Sequence, residues 1–271
     1  MSKLKVILKK IKRKGIVYFI SKFFYIFYHR ILIDIADKYV IWFNKHKFQD
    51  KDKPIIFDLP SHSVKENRTL WNNYYWLEKG EEWTRDVKKY KKADPKIWKL
   101  SLINKMILKY IKKGSIILEI GPGAGRWTEI LLKLAKRLII ADISKKCLSF
   151  CKVRFKKYKN IEYQLIKDKL DFIDNECIDY IWAYDVFVHI NPTNIERYIE
   201  EFQRILKSGG CALIHHSGTY SSEKIQKEAF RSYMTGKTFS NLVKKYGMQM
   251  LEQNDSLVHL PGDLISVFKK P

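Results

Sequence analysis

Residues 115–142 read SIILEIGPGAGRWTEILLKLAKRLIIAD. Ser115–Ile120 is a short run rich in β-branched apolar residues, the pattern of a strand buried on both faces. Gly121, Gly123 and Gly125 follow at alternate positions. Without a Cβ they let the backbone turn tightly and approach a ligand closely. Thr128–Ala135 carries Ile130, Leu131, Leu134 and Ala135 at helical spacing. Leu138–Ala141 predicts a second buried strand, with Asp142 at its C-terminal end. Open α/β sheets bind ligands beyond the carboxyl ends of their strands, where a carboxylate can take both hydroxyls of a ribose. The stretch therefore predicts a cofactor that contains a nucleoside.

The details narrow the choice. A dinucleotide fingerprint places a third small residue three positions after its second glycine, and Arg126 stands there. The glycines instead run G-x-G-x-G, with Glu119 inside the preceding strand and Asp142 about 20 residues beyond Gly121, the distance expected of a ribose-binding acid. An acid at Glu119 suits a cofactor with an ammonium group and suits a pyrophosphate poorly. With E-x-G-x-G-x-G and the later acid, the chain resembles the class I S-adenosylmethionine-dependent methyltransferases.

The 271 residues fit one α/β domain with an attachment, and the net charge of +23 raises nucleic acid or an anionic membrane as partners. Lys3, Lys5, Lys9, Lys10, Lys12, Arg13 and Lys14 all precede the first acid, Asp34. Leu4, Ile7, Leu8 and Ile11 share one face of the same segment, a basic amphipathic helix. The aromatic stretch that follows is interrupted by Lys22, His29, Arg30, Asp34, Asp37 and Lys38, so it lacks the ~20 uncharged residues of a bilayer span. No small-residue cleavage site follows it, which argues against a signal peptide. Residues 1–43 thus predict a helical extension that either packs on protein or lies in an anionic membrane surface, where each Lys or Arg contributes about 1 kcal/mol. Residues 44–70, broken by Pro54 and Pro60, read as a linker to a domain over residues 71–271. Cys147, Cys151, Cys177 and Cys211 lack metal-site spacing and predict reduced thiols in a cytoplasmic protein, and no bound metal is expected.

The domain opens with an aromatic cluster, Trp71, Tyr74, Tyr75, Trp76 and Trp83, suited to stacking on a sugar or base, covering a cofactor, or simply packing on the domain. A helix over Pro95–Lys112 leads into the first strand. Beyond Asp142, Ser144 caps a helix over Lys145–Lys157. Strands are predicted at Ile161–Ile166, Ile178–Tyr184, Cys211–His215, Met248–Glu252 and Leu264–Phe268, with helices at Asn194–Leu206 and Phe239–Tyr246. Ser208-Gly209-Gly210 is read as the close of the Asn194 helix. Alternating strands and helices predict a seven-stranded, mostly parallel, Rossmann-like α/β sheet with helices on both faces.

The resemblance extends over about residues 71–271 and includes FIDNECIDYIWAYDVFVHI and LKSGGCALIHH. The run WLEKGEEWTRD is similar to a bacterial small-molecule subgroup tied to sugars of surface polysaccharide. The resemblance implies roles residue by residue. Glu119 and Gly121 would face the methionine amino end, Gly123 would admit the cofactor, and Asp142 would hold the ribose. Asp168 would take the adenine amino group, with Leu170 as an apolar wall, although K-D-K-L replaces the glycine usual after that acid. Asp185 would sit beside the sulfonium.

Methyl transfer is an in-line displacement in which the protein aligns and desolvates the acceptor, and an alcohol acceptor also needs a base. His189, four residues beyond Asp185, is one candidate. His215 and His216 are the others, and as consecutive strand residues only one of them can face the pocket. Tyr220 and Arg231 could grip the acceptor. The function implied is O-methylation of a sugar or other small polar acceptor in surface polysaccharide or glycolipid synthesis. A nucleic-acid methyltransferase is the first alternative, but Tyr184-Asp185-Val186-Phe187 lacks the Pro-Pro-aromatic motif of base amino-methylation. A non-catalytic module that keeps the fold is the second.

Overall fold

The computed structural model describes residues 63–74, 76, 80–167, 169–218 and 231–271. The extension read over residues 1–43 lies outside the described residues. Seven strands form a single sheet: β1 (Ser115–Ile120), β2 (Ala135–Asp142), β3 (Ile161–Leu165), β4 (Ile178–Ala183), β5 (Leu206–Ser217), β6 (Gln249–Asn254) and β7 (Asp263–Lys269), in the order 3-2-1-4-5-7-6. Strands β1 to β5 pair in parallel. Strand β7 runs antiparallel between β5 and β6. The mostly parallel, seven-stranded sheet expected from the sequence is formed.

The apolar runs of β1 and β4 are covered from both sides. On one face α2 (Pro95–Leu102, continued through Ile103–Ile107 to Leu108–Tyr110), α3 (Thr128–Leu134) and α4 (Lys145–Arg154) bury Trp98, Leu102, Leu131 and Cys151 against Ile117, Leu138, Ile140 and Trp182. On the other, α5 (Pro192–Ile205) and α6 (Gly236–Lys245) bury Ile195, Ile199, Phe202 and Phe239 against Leu118, Ile139, Ile181 and Phe268. Local sequence sets where these helices start. Asn191 accepts from Asn194 N at 2.9 Å and Pro192 supplies the first helical position of α5. Ser144 caps α4 through Cys147 N.

Three boundaries differ from expectation. Helix α1 (Val64–Asn73) starts inside the stretch read as linker, because Ser63 and Glu66 form a reciprocal capping box. Helix α3 ends at Leu134 and β2 starts at once, since Ala135 and Arg137 already pair with Ser115 and Ile116. Strand β5 begins at Leu206 and carries Ser208-Gly209-Gly210 within it. There the register shifts so that Ile178 faces Leu206 while Tyr180 faces Cys211, a bulge that Gly209 permits with φ of 75°. Among the described residues no helix is long and apolar enough to cross a membrane.

Ile181 lies in β4 with no exposed surface. Ile181→Ala is expected to cost about 2–5 kcal/mol in urea unfolding. A loss below about 1 kcal/mol would contradict the packing described.

Candidate active site

A cavity of about 100 Å³, open at its mouth, lies where β1, β2 and β4 end. The glycine turn forms its floor. Gly121 has φ of 68°, and a Cβ there would come within 2.3 Å of Val186; Gly123 has φ of 55°, and its Cβ would lie 2.7 Å from the Trp76 ring. Both positions therefore exclude any other residue.

Asp142 stands in the wall as expected. Ser144 N donates to its Oδ1 at 2.7 Å, and the Gly123 and Ile143 backbones also reach it. Burial nevertheless pushes its carboxyl up to about 7. Glu119 is placed differently from expectation: it is not part of the cavity wall. Its Oε2 accepts from Thr128 Oγ1 at 2.6 Å, which ties β1 to the first residue of α3, and burial pushes the carboxyl up to about 8. Leu170 is likewise not a wall: it is fully buried in the core, and Ile166 supplies the apolar side of the cavity. Asp168 and Tyr220 lie outside the described residues.

The three candidate histidines separate. His216 is fully buried and stacks on Phe239 at 3.8 Å. Its Nδ1 donates to Ser217 O at 2.6 Å and its Nε2 accepts from Ser266 Oγ at 2.7 Å, so both nitrogens are used, and burial holds it neutral, down at about 3. His215 is also fully buried, stacked on Tyr184 at 4.2 Å. Its Nδ1 accepts the backbone N–H of Asp185 at 3.0 Å, which leaves the ring hydrogen on Nε2, 3.2 Å from Asp263 Oδ2. Neither ring offers a lone pair to an acceptor, and the expectation that one of them is the base is corrected. His189 sits in the turn after β4, its ring 5.3 Å from that of Trp71 and its Nε2 3.5 Å from Arg231 Nη1.

Asp185 ends β4 in the wall of the cavity, held in the left-handed region at φ of 65°. Arg231 Nη2 bridges Asp185 Oδ1 at 3.2 Å and Asp263 Oδ2 at 2.9 Å, and also lies 3.3 Å from His259 Nε2. Burial would raise both carboxyls, but the groups facing them hold both below the ordinary range, His259 and then Arg231 at Asp185 and Arg231 foremost at Asp263. Burial pushes His259 down to about 3, so it stays neutral. Asp185, His215 and His259 bring ligand-type atoms within 4.8 Å of one another, as a metal centre would, but the guanidinium already supplies a cation among them. Asp263, His259 and Tyr184 were not read from the sequence as site residues; a lone acid at the start of an apolar strand was the available signal. Trp71, Trp76 and Trp83 also line the cavity, with ring centroids 6.1–6.4 Å apart.

A sheet of this order, with a glycine turn before β2 and an acid closing it, is a Rossmann-like fold of the kind found in methyltransferases. Residues 117–210 match the family described as methyltransferase domain. The chain is 30% identical over 104 residues to a demethylmenaquinone methyltransferase of Tropheryma whipplei, covering 38% of this chain and 42% of that one. It is 29% identical over 99 residues to a ubiquinone biosynthesis O-methyltransferase of Pelagibacter ubique, covering 36% and 40%. The chain thus spans about two fifths of the length of these curated relatives. Its fold is similar to that of geranyl diphosphate C-methyltransferase from Streptomyces coelicolor, a structure holding Mg²⁺ and S-adenosylhomocysteine, with a TM-score of 0.60 at 11% identity over 77% of this chain and 98% of that one. Asp142, the glycine turn and Ile166 would fit the nucleoside of S-adenosylmethionine.

Two pH effects follow from the buried acids. Ribose hydroxyls donate to an ionised Asp142, so S-adenosylhomocysteine affinity measured by calorimetry should be flat above about pH 8 and fall roughly tenfold per unit below pH 7. Asp142→Asn should flatten that profile. For Glu119 the folded group, at about 8, holds a proton that the unfolded chain releases near 4.5. Wild-type stability therefore declines as pH rises through this window. Glu119→Gln, which keeps the acceptor for Thr128, should gain on wild type by up to about 1.4 kcal/mol per unit between pH 5 and 8. A difference that ignores pH would contradict the placement of Glu119.

Proposed function

We propose that this protein transfers the methyl group of S-adenosylmethionine to a hydroxyl of a small ring-shaped acceptor, a sugar of a glycan or glycolipid precursor being the class put forward. The observation that supports this reading is the aromatic wall of Trp71, Trp76 and Trp83, which shares one cavity with the ribose acid Asp142. Indole faces take up the C–H face of a sugar and leave its hydroxyls directed away from the wall. In the reaction the acceptor oxygen forms a bond to the methyl carbon while the carbon–sulfur electron pair returns to sulfur. The acceptor proton would go to Nε2 of His189, which would have to exchange its 3.5 Å contact with Arg231 Nη1 for the acceptor hydroxyl. The Asp185 carboxylate would favour the imidazolium so formed, against the opposing charge of Arg231.

The matched residues 117–210 include the glycine turn, Asp142 and Asp185, whereas Trp71, Trp76 and Trp83 of the aromatic wall lie outside the match. The acceptors of the relatives therefore do not transfer with the match. A quinol is the second reading, favoured by the names of those relatives and by the same wall, on which a planar ring also stacks. Attachment of residues 1–43 to an anionic membrane on its inner face belongs to the same proposal, with nine Lys and Arg residues ahead of the first acid as its support.

Transfer of label from methyl-labelled S-adenosylmethionine to a panel of sugar nucleotides, lipid-linked sugars and reduced quinones tests both readings. His189→Ala should lower kcat by about 10²–10⁴-fold while S-adenosylhomocysteine affinity stays within a factor of two. Unchanged kcat in His189→Ala would remove hydroxyl methylation through this base.

A further inference from the structure

Arg126 follows the glycine turn and forms part of the cavity wall with only 5% of its surface exposed. Its nitrogens are poorly matched for so buried a group. Nε lies 3.4 Å from Glu81 Oε2, an ion pair without a hydrogen bond, and Nη2 has no hydrogen-bond partner among the described residues. Glu81 is itself a third exposed and is bonded to Lys99. A guanidinium cannot shed its proton to escape burial, so donors directed into an apolar wall carry a standing desolvation cost. An anion entering the cavity would remove it, and the planar fork matches a carboxylate through two parallel bonds. The same wall holds an unmet acceptor, Asp185 Oδ2, also buried and without a hydrogen bond. An unmet donor pair and an unmet acceptor in one cavity are the complement of an amino-acid zwitterion, and Glu119, tied to Thr128 outside the wall, leaves the amino end to Asp185.

We propose that Arg126 binds the α-carboxylate of the cofactor's methionine moiety. This rests on the cofactor reading above. A carboxylate could also arrive on the acceptor, and the experiment separates the two sources. Calorimetry on the full chain would compare wild type and Arg126→Gln with three probes: S-adenosylhomocysteine, the same thioether lacking its carboxylate, and 5′-methylthioadenosine. The expected result is a roughly 10- to 100-fold loss of S-adenosylhomocysteine affinity in Arg126→Gln. Wild type should lose as much on removal of the carboxylate, the variant should lose nothing further, and 5′-methylthioadenosine should bind both alike. Equal S-adenosylhomocysteine affinity in the two proteins would overturn the proposal and assign the guanidinium to an anion on the acceptor. An equal loss on decarboxylation in both would overturn it too. Wild type that binds none of the probes would remove the cofactor reading itself. Should Arg126→Gln fail to fold, Arg126→Lys, which keeps the charge without the fork, carries the same cycle and should show an intermediate loss.

Discussion

The two neighbours of β1 leave it in opposite directions. Strand β2 pairs on one side and β4 on the other, both parallel, so the connecting helices must cover opposite faces of the sheet. Between the diverging chains a crevice opens at the carboxyl ends, and nothing in the backbone can fill it. Gly121 and Gly123 keep that crevice clear of side chains, Asp142 closes it on the β2 side, and Asp185 closes it on the β4 side. The cavity is therefore a product of strand order first and of side chains second.

The half of the site that lies close together in sequence was legible there. The strand, turn, helix, strand and acid of residues 115–142 follow rules that act over a few residues, and Asp142 and the glycines stand where those rules put them. Glu119 was legible as a functional position but not in its contact, because Thr128 Oγ1, which captures it, belongs to a helix whose rotation is set by packing. The same limit applied to β5. Alternation separated His215 from His216 onto opposite faces, but what each ring meets comes from Asp263, Ser266 and Phe239, some 20 to 50 residues later in the chain. Whether a histidine is a base or a fully bonded core group depends on those distant partners.

The buried polar cluster behind Asp185 has its own logic. Two carboxylates, one guanidinium and two imidazole rings are packed together in a buried cluster, so the geometry is set by satisfying as many of them as possible. Arg231 connects the end of β4 to the start of β7, and His215 holds the strained backbone of Asp185 through its N–H. The Asp185 wall of the cavity is thus supported from three strands at once, which limits how far Asp185 can shift when a ligand enters.

The antiparallel insertion of β7 between β5 and β6 has a consequence for how the chain is made. During synthesis β5 and β6 emerge first, yet neither pairs with the other in the finished sheet, and β5 keeps an open edge until residues 263–269 have left the ribosome. Asp263, the anchor for Arg231, arrives on that late strand. The Asp142 side of the crevice can therefore form while the chain is still growing, whereas the support behind Asp185 is completed only when the sheet closes. A nascent chain thus has one side of its crevice in place well before the other.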